Sequence, residues 1–480
     1  MSAMPPSAAS LPDRWTRASY LYGAVVAAGV GYFLLDSPVQ VTDSYGNLVD
    51  ASQGTVGDLV YRQFFQQAYL RPLLWAHIRV LLDVAGDQYF WVFRGWHVFQ
   101  VALLIALFLA IVKPRGAAAA AAVPVGLAAL IGMHTFAGTV REAFPVNTFM
   151  TILLCCYAAA AVALGPRRWW RDAAAAVLFV FASLTVESGL LVWVVFVAAW
   201  MVGARGVSPW GIAGQCALLA GYFYLRFAVL AVGAPGLEER SSGYGFSSRD
   251  PDDLIASFGG NPLPFYAYNV VSSVLTIVFG EPRAGVWITV RNAVLEHEYV
   301  TLPSVLALAC TLGSLVILRY AWRRRREWLA RRFDRGDQIV FVFFGVTAAN
   351  AVISYPYTKD VIMSPAGVFF AAALAVALGD LLQNVGTAAM PRAFVSGAVV
   401  TALAAAWAVC LVSAHLGLRY AAVQTRAEWA YVDAWLEREH ITVSEPAAVE
   451  MKRRLQDEAV RVHPMRPPIR GDWIEWMQDN

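Results

Sequence analysis

The chain has 480 residues, of which 58% are hydrophobic and 15% are charged, and its mean hydropathy is +0.52. This composition excludes a water-soluble globule and is typical of a protein embedded in a membrane. The net charge of +3 is too small to indicate nucleic-acid binding. We therefore expect an all-α integral membrane protein whose partners include membrane lipids and no nucleic acid.

Apolar stretches close to the length of a membrane crossing recur along the chain. About 20 apolar residues in a helix cross roughly 30 Å of hydrocarbon. A longer run over 173–202 is interrupted at Glu187-Ser188-Gly189, and it predicts two helices joined by a turn. With this pair, the total is about eleven transmembrane helices, the others being 18–35, 92–112, 117–133, 148–164, 210–232, 302–318, 338–354, 365–382 and 393–414.

Basic residues mark alternate loops between these helices. Cytoplasmic loops of membrane proteins carry an excess of Lys and Arg. Placing the basic loops in the cytoplasm predicts a protein of the inner or plasma membrane with a cytoplasmic N-terminus and an extracytoplasmic C-terminus. These residues are Arg14, Arg17, Lys113, Arg115, Arg167, Arg168, Arg171, Arg205, Arg323 to Arg326, Arg331, Arg332 and Arg335.

The sequence predicts two units, and the first of them includes a long outer loop and a short apolar segment. Residues 1–415 form the polytopic domain, and 416–480 form an extracytoplasmic helical segment. The first outer loop, 36–91, has apolar residues near helical spacing and predicts amphipathic helices at the interface. Segment 261–283 is apolar but short, and counting it as a crossing would move the Arg323 cluster to the outer side. We therefore predict that it is interfacial or re-entrant.

All five cysteines fall inside predicted helices, where they are expected to be small core residues. No paired Cys or His spacing and no phosphate-binding loop occurs. The sequence therefore indicates no metal site and no certain cofactor, and a divalent cation has no support. The five residues are Cys155, Cys156, Cys216, Cys310 and Cys410.

Candidate chemical groups lie at the predicted outer ends of the helices. Asp43 follows the first helix, where a carboxylate can take a proton from a hydroxyl. Glu187 is an ionisable residue within apolar sequence, which is costly unless it faces a cavity or a partner. Three cations at this side, Arg71, Arg141 and Lys359, could each bind a phosphate. Equally, Arg71 could stabilise the loop, Arg141 could pair with Glu142, and Lys359 could anchor its helix beside Asp360. His134, also at this side, fits a phosphate, a sugar hydroxyl or simple packing.

Several short motifs, in one order, resemble the GT-C superfamily of membrane glycosyltransferases, and most closely its O-mannosyltransferase-like and tetratricopeptide-associated branch. The likeness covers roughly the first 290 residues. The chain departs from that pattern at two positions. Asp43-Ser44 has one carboxylate where the family has two acidic residues, and Val186 stands where the family has a lysine in the turn. The motifs are Asp43 after the first helix, Tyr69-Leu70-Arg71-Pro72-Leu73, Phe93-Arg94-Gly95-Trp96-His97-Val98, Met133-His134-Thr135, Val140-Arg141-Glu142, Leu184-Thr185-Val186-Glu187-Ser188, Tyr222-Phe223-Tyr224-Leu225-Arg226 and Asn261-Pro262-Leu263.

The resemblance implies an inverting transfer of a sugar from a polyprenyl-phosphate donor to an extracytoplasmic acceptor. Asp43 is then the expected catalytic base. The expected binding residues for substrate and lipid phosphate are Arg71, His134, Arg141, Glu187, Tyr357 and Lys359. The chain lacks the tetratricopeptide repeats that some relatives in this branch carry.

Three other functions fit the same sequence. A transporter or flippase for a lipid-linked or small solute also needs polytopic helices with intramembrane charge, although no inverted repeat is evident. A catalytically inactive scaffold of the same fold is compatible with the single carboxylate at Asp43. A carbohydrate polymerase or ligase would use the same kind of lipid-linked donor.

Overall fold

The computed structural model describes residues 14–36, 42–65, 70–86, 88–136, 148–230, 256, 259–280, 290–297, 302–385, 390–427, 446, 449–451, 453 and 454. The regular elements of these residues are all helical. The α-helices are α1 (Arg14–Asp36), α2 (Thr42–Ser52), α3 (Val56–Phe65), α4 (Pro72–Ala85), α5 (Tyr89–Val112), α6 (Gly116–Gly132), α7 (Thr148–Ala163), α8 (Trp170–Ser183), α9 (Leu191–Met201), α10 (Pro209–Phe223), α11 (Pro262–Phe279), α12 (Leu302–Leu329), α13 (Arg335–Ile353), α14 (Ser364–Val385) and α15 (Met390–Ala427). Short 3₁₀ helices cover Glu187–Leu190 and Asp360–Met363, and π-helices cover Tyr224–Val229 and Asn292–Glu296.

Eight helical segments in the described part of the chain are long and apolar enough to cross a membrane. Seven coincide with predicted crossings, and the eighth is α11. Helices α6, α7 and the segment Glu187–Met201 are apolar but shorter. This architecture fits an all-α membrane protein, and the number of eleven crossings stays a prediction. The eight segments are Arg14–Leu35, Tyr89–Val112, Pro209–Val229, Pro262–Phe279, Ser304–Leu329, Arg335–Ile353, Asp360–Val385 and Ala393–Ser413.

Helix α14 lies at the centre of the bundle and packs against α6, α12, α13 and α15. Within its most apolar window, 89% of the residues are buried. Small residues allow this packing: a Cβ atom added at Gly126 of α6 would lie 2.8 Å from the Cβ of Ala375. The two helix backbones therefore approach closely, as small residues permit between membrane helices.

Arg335, the first residue of α13, fixes the ends of two other helices. Its Nε and Nη2 donate to the carbonyl oxygens of Ile111 and Ala110 at 2.8 and 3.1 Å, and its Nη1 donates to Leu164 at 2.7 Å. The last carbonyl groups of a helix have no partner within the helix. One guanidinium therefore satisfies carbonyl groups at the ends of α5 and α7.

The predicted basic loops meet at this end of the bundle. The Thr16 hydroxyl donates to the Pro114 carbonyl at 2.8 Å, and Gln338 Nε2 donates to the Val202 carbonyl at 3.2 Å. Arg323 pairs with Asp380 at 2.7 Å. We call this the basic end and the opposite one the polar end.

Helices α2, α3 and α4 form a roof at the polar end, in agreement with the helices predicted for the first outer loop. Thr55 and Asp58 cap α3 reciprocally: the Thr55 amide donates to Asp58 Oδ2 at 3.0 Å, and the Asp58 amide donates to Thr55 Oγ1 at 3.2 Å. Hydrogen bonds from Thr55 lower the pKa of Asp58. The roof has a separate apolar core, made of Leu48, Val49, Ala51, Leu59, Leu74, Ile78, Leu81, Leu82, Ala85, Tyr89, Phe90, Phe93 and Met451.

The C-terminal part of the chain joins this roof through Met451, which is 7% exposed. Helix α15 continues to Ala427, so the predicted boundary between 1–415 and 416–480 falls inside a helix. Four of the five cysteines are buried as predicted. The prediction is wrong for Cys216, which is exposed because α10 turns a large part of its surface away from the bundle.

Helix α11 covers the segment predicted to be interfacial or re-entrant. Its Asn269 donates to the Tyr355 carbonyl at 2.9 Å, and its Ser273 bonds Thr358 at 2.8 Å. Both partners follow the last residue of α13 at the polar end. Because α11 has the length and apolarity of a crossing, its interfacial or re-entrant placement stays a prediction.

We predict that Arg335→Leu lowers the free energy of unfolding by about 2 to 3 kcal/mol, because three carbonyl groups lose their donor. Arg332→Leu, an exposed position in the same loop, is the matched control. Thermal unfolding in detergent, followed by tryptophan fluorescence, measures both. Equal midpoints for the two variants would contradict the role assigned to Arg335.

His77 in the roof helix α4 makes the roof sensitive to acid. Its ring lies 5.7 Å from that of Trp96, centroid to centroid, and burial lowers its pKa to about 4, from an ordinary value near 6.5. The unfolded state therefore binds a proton between pH 6.5 and pH 4 that the folded state excludes. Stability is complete above pH 6.5 and falls as the pH drops through this window.

We expect the thermal midpoint of the wild type to fall between pH 7 and pH 4.5 by more than that of His77→Phe. The roof of the wild type loses up to about 3 kcal/mol, at 1.36 kcal/mol per pKa unit. The difference between the two proteins should vanish above pH 7. A parallel fall in both would show that other groups cause the acid sensitivity.

Candidate functional site

An ion pair joins the roof to the bundle at the polar end. Arg71, which precedes the first residue of α4, donates through Nη2 to Glu187 Oε2 at 2.6 Å and through Nε at 3.1 Å. Beside it, the Leu73 amide donates to the Leu184 carbonyl at 3.1 Å. The side chains of Arg71 and Glu187 are 27% and 21% exposed. The roof is thus fixed to the turn between α8 and α9 by a charged and a neutral contact.

The turn that presents Glu187 has the form predicted for it. Helix α8 ends at Ser183, a 3₁₀ helix begins at Glu187, and α9 follows it directly. A Cβ atom at Gly189 would collide with the carbonyl oxygen of Ala182. Glycine is therefore required here, because the backbone at residue 189 packs directly against the end of α8. This packing fixes the turn that carries Glu187.

A second arginine approaches Glu187 from α10. Arg226 Nη1 lies 3.4 Å from Glu187 Oε1 and donates to the Tyr222 hydroxyl at 3.0 Å. Arg226 lies in the π-helix Tyr224–Val229 that continues α10, and its side chain is 6% exposed. A π-helical turn widens the helix and often occurs at functional sites. Two guanidinium groups thus contact one carboxylate.

A further group of predicted site residues lies at or next to contacts with α11. His134 Nε2 lies 3.4 Å from Thr276 Oγ1 of α11. Thr358, which bonds α11 through Ser273, lies between Tyr357 and Lys359, and Lys359 Nζ lies 5.0 Å from the centroid of the Tyr357 ring. His134 therefore contacts α11 directly, whereas Tyr357 and Lys359 flank a residue that does, and the Lys359 ammonium lies over the Tyr357 ring.

A row of polar residues continues from the polar end into the bundle along α5. Arg94, His97 and Gln100 are each 1% exposed and recur every three residues, so they share one face of the helix. Gln100 Nε2 donates to Thr151 Oγ1 of α7 at 3.3 Å. Buried polar side chains of this kind in a membrane helix face the bundle interior and are costly to maintain.

The structure therefore brings Arg71 and Glu187 into direct contact. It places His134 against α11, and Tyr357 and Lys359 on either side of Thr358, which bonds that helix. For Asp43 it describes only the backbone, in the first turn of α2; the side chain lies outside the described part. Arg141 lies entirely outside the described residues.

We call Arg71, Glu187 and Arg226 the charged cluster. Arg226 and its hydrogen-bond partner Tyr222 belong to one of the sequence motifs but are not among the predicted site residues. The signal was available, because Arg226 is a charged residue within an apolar helix and Tyr222 precedes it by four residues, on the same helix face. The pairing with Glu187 was not visible, since it joins residues 39 positions apart.

The charged cluster has the chemistry of an anion-binding site. Guanidinium groups match phosphate oxygens with paired donors, and Arg is weakly hydrated enough to act in partly buried sites. Arg71 is the more exposed of the two arginines, and Glu187 holds both in place. In the part of the chain that the structure describes, no three His, Cys, Asp or Glu residues come together as metal ligands.

The comparisons with known proteins provide no relative from which a function can be inferred. No family model, no curated protein and no solved structure matches the chain. The functional interpretation therefore depends on the residues gathered at the polar end and on the order of the motifs that contain them.

Proposed function

We propose that the chain is a membrane glycosyltransferase of the GT-C type, which transfers a sugar from a polyprenyl-phosphate donor to an extracytoplasmic acceptor. The observation that carries the proposal is the cluster of Arg71, Glu187 and Arg226. These residues come from three motifs of the resemblance that are far apart in the sequence. Their convergence at one end of the bundle supports a shared site.

The distribution of charge supports an extracytoplasmic location for this site. The basic end carries the loops rich in arginine, and such loops face the cytoplasm. The cluster lies at the opposite end, beneath the roof. A lipid-linked donor in the outer leaflet would present its phosphate at this level, close to the membrane surface.

In the proposed reaction, Asp43 takes the proton from the acceptor hydroxyl. The acceptor oxygen attacks the anomeric carbon from the face opposite the lipid phosphate, so that a new glycosidic bond forms with inversion. The bond from the anomeric carbon to the phosphate oxygen breaks, and its electron pair stays on the phosphate. Arg71 and Arg226 stabilise the negative charge that develops there, while Glu187 positions them.

We expect Asp43→Asn to lower the transfer rate at least 100-fold, since a carboxamide cannot accept the proton and general-base catalysis contributes about 10² to 10⁴. Mass spectrometry of glycans and polyprenyl-phosphate sugars in cells with matched membrane abundance measures the effect. The lipid-linked donor should accumulate, and one sugar should be absent from a glycan. Unchanged glycans and donors would instead favour a transporter or an inactive scaffold.

Glu187→Gln tests the cluster itself. The variant removes the charge that holds two guanidinium groups, and we expect transfer to fall at least tenfold with a raised KM for the donor. Asp83→Asn is the matched control, because Asp83 forms an exposed ion pair with Arg79 within the same roof. Equal transfer by the two variants at equal abundance would exclude a positioning role for Glu187.

A further inference from the structure

A second candidate site lies at the basic end, away from the charged cluster. A cavity of about 570 Å³ runs between α8 and α10, and we call it the α8–α10 groove. Its apolar lining consists of Ala176, Gly211, Gly214, Ala217 and Leu218. The groove is largely open to its surroundings along the surface of the two helices.

Gln215 is a buried polar residue of this groove. Its side chain lines the cavity and is 1% exposed, and both its carboxamide oxygen and its nitrogen lack a hydrogen-bond partner among the described residues. Buried polar groups in proteins are nearly always hydrogen-bonded, and an unsatisfied one is costly. A ligand that brings a hydrogen-bonding group to Gln215 would remove this cost.

At the basic end, the residues beside the starts of α8 and α10 are basic and aromatic. Arg167 and Arg168 precede α8, both are exposed, and neither has a carboxylate partner in the described part of the chain. Trp169 and Trp210 are 89% and 85% exposed, as residues at the level of lipid headgroups often are. Asp172, also in the lining, is already bound to the amide and hydroxyl of Ser208 at 2.8 and 2.6 Å.

We propose that the α8–α10 groove binds an anionic phospholipid from the leaflet at the basic end. One acyl chain occupies the apolar part of the groove. An ester carbonyl accepts a hydrogen bond from Gln215, which lies about 9 Å along the axis from the start of α10. The phosphate lies near Arg167 and Arg168, and these positive charges select an anionic headgroup.

The charge at the basic end and the position of Gln215 favour a phospholipid over a second copy of the chain. A phospholipid carries a phosphate, then ester carbonyls, then an acyl chain. From the basic end inward, these groups would meet the two arginines, the Gln215 carboxamide and the apolar lining in turn. A second copy would bring the same Arg167 and Arg168 toward an equally basic end. The proposal is independent of the glycosyltransferase reaction.

Native mass spectrometry of the full chain in detergent, with equal phosphatidylglycerol and phosphatidylcholine, tests the proposal. We expect one phosphatidylglycerol per chain, at an affinity at least tenfold above that for phosphatidylcholine. Gly214→Leu should weaken this binding at least tenfold by filling the groove. Gly221→Leu, an equal change on α10 outside the groove, should retain it; neither glycine has a neighbour within 4 Å of an added Cβ.

Two further variants separate the parts of the site. The double variant Arg167→Gln with Arg168→Gln should reduce binding of phosphatidylglycerol to the level of phosphatidylcholine. Gln215→Leu should have a higher thermal midpoint than the wild type in the absence of lipid. Phosphatidylglycerol should raise the midpoint of this variant much less than it raises that of the wild type.

Equal lipid binding by Gly214→Leu and Gly221→Leu, or equal binding of both lipids by the wild type, would overturn the proposal. A dimer that Gly214→Leu alone dissociates would also overturn it, by identifying a second copy as the occupant.

Discussion

The close packing of α14 against its neighbours is the constraint on which the rest of the bundle depends. Gly126 and Ala375 allow α6 and α14 to approach, and the run of small residues around Ala371 leaves no space for larger side chains. At the start of α14, Asn350 of α13 accepts from the Ala366 amide at 3.3 Å and donates to the Ile362 carbonyl at 3.0 Å. Packing and hydrogen bonding therefore fix α14 along its length and relate the two ends of the bundle.

The two ends use arginine in different ways. At the basic end, Arg335 donates to helix carbonyl groups, and Arg324 pairs with the buried Asp337 at 2.8 Å, so that these charges serve mainly to hold helices together. At the polar end, Arg71 and Arg226 both contact the carboxylate of Glu187, so that one acidic group orients two guanidinium groups from distant parts of the chain. The first arrangement connects helix ends, whereas the second holds guanidinium groups where the roof meets the bundle, with the Arg71 side chain 27% exposed.

The sequence predicted part of the candidate site. Glu187 was identified because a carboxylate within apolar sequence requires a partner, and Arg71 was identified as a cation of the first outer loop. Their contact was not predictable, since 116 positions separate them and no periodic pattern relates a loop to a distant turn. Arg226, which lies in the π-helix that continues α10, contacts the same carboxylate from a third part of the chain.

The sequence by itself determined the helical class, most of the apolar helices and the alternation of basic loops, because hydropathy and charge act locally along the chain. It also located the turn at Glu187, where polar residues interrupt the apolar run over 173–202. The tertiary structure alone decided which helix lies at the centre, that Cys216 faces outward, and that Gln215 borders a groove between α8 and α10. These features depend on which helix faces meet, and in a lipid-exposed bundle apolar residues occupy both the inward and the outward faces, so that apolarity does not distinguish them.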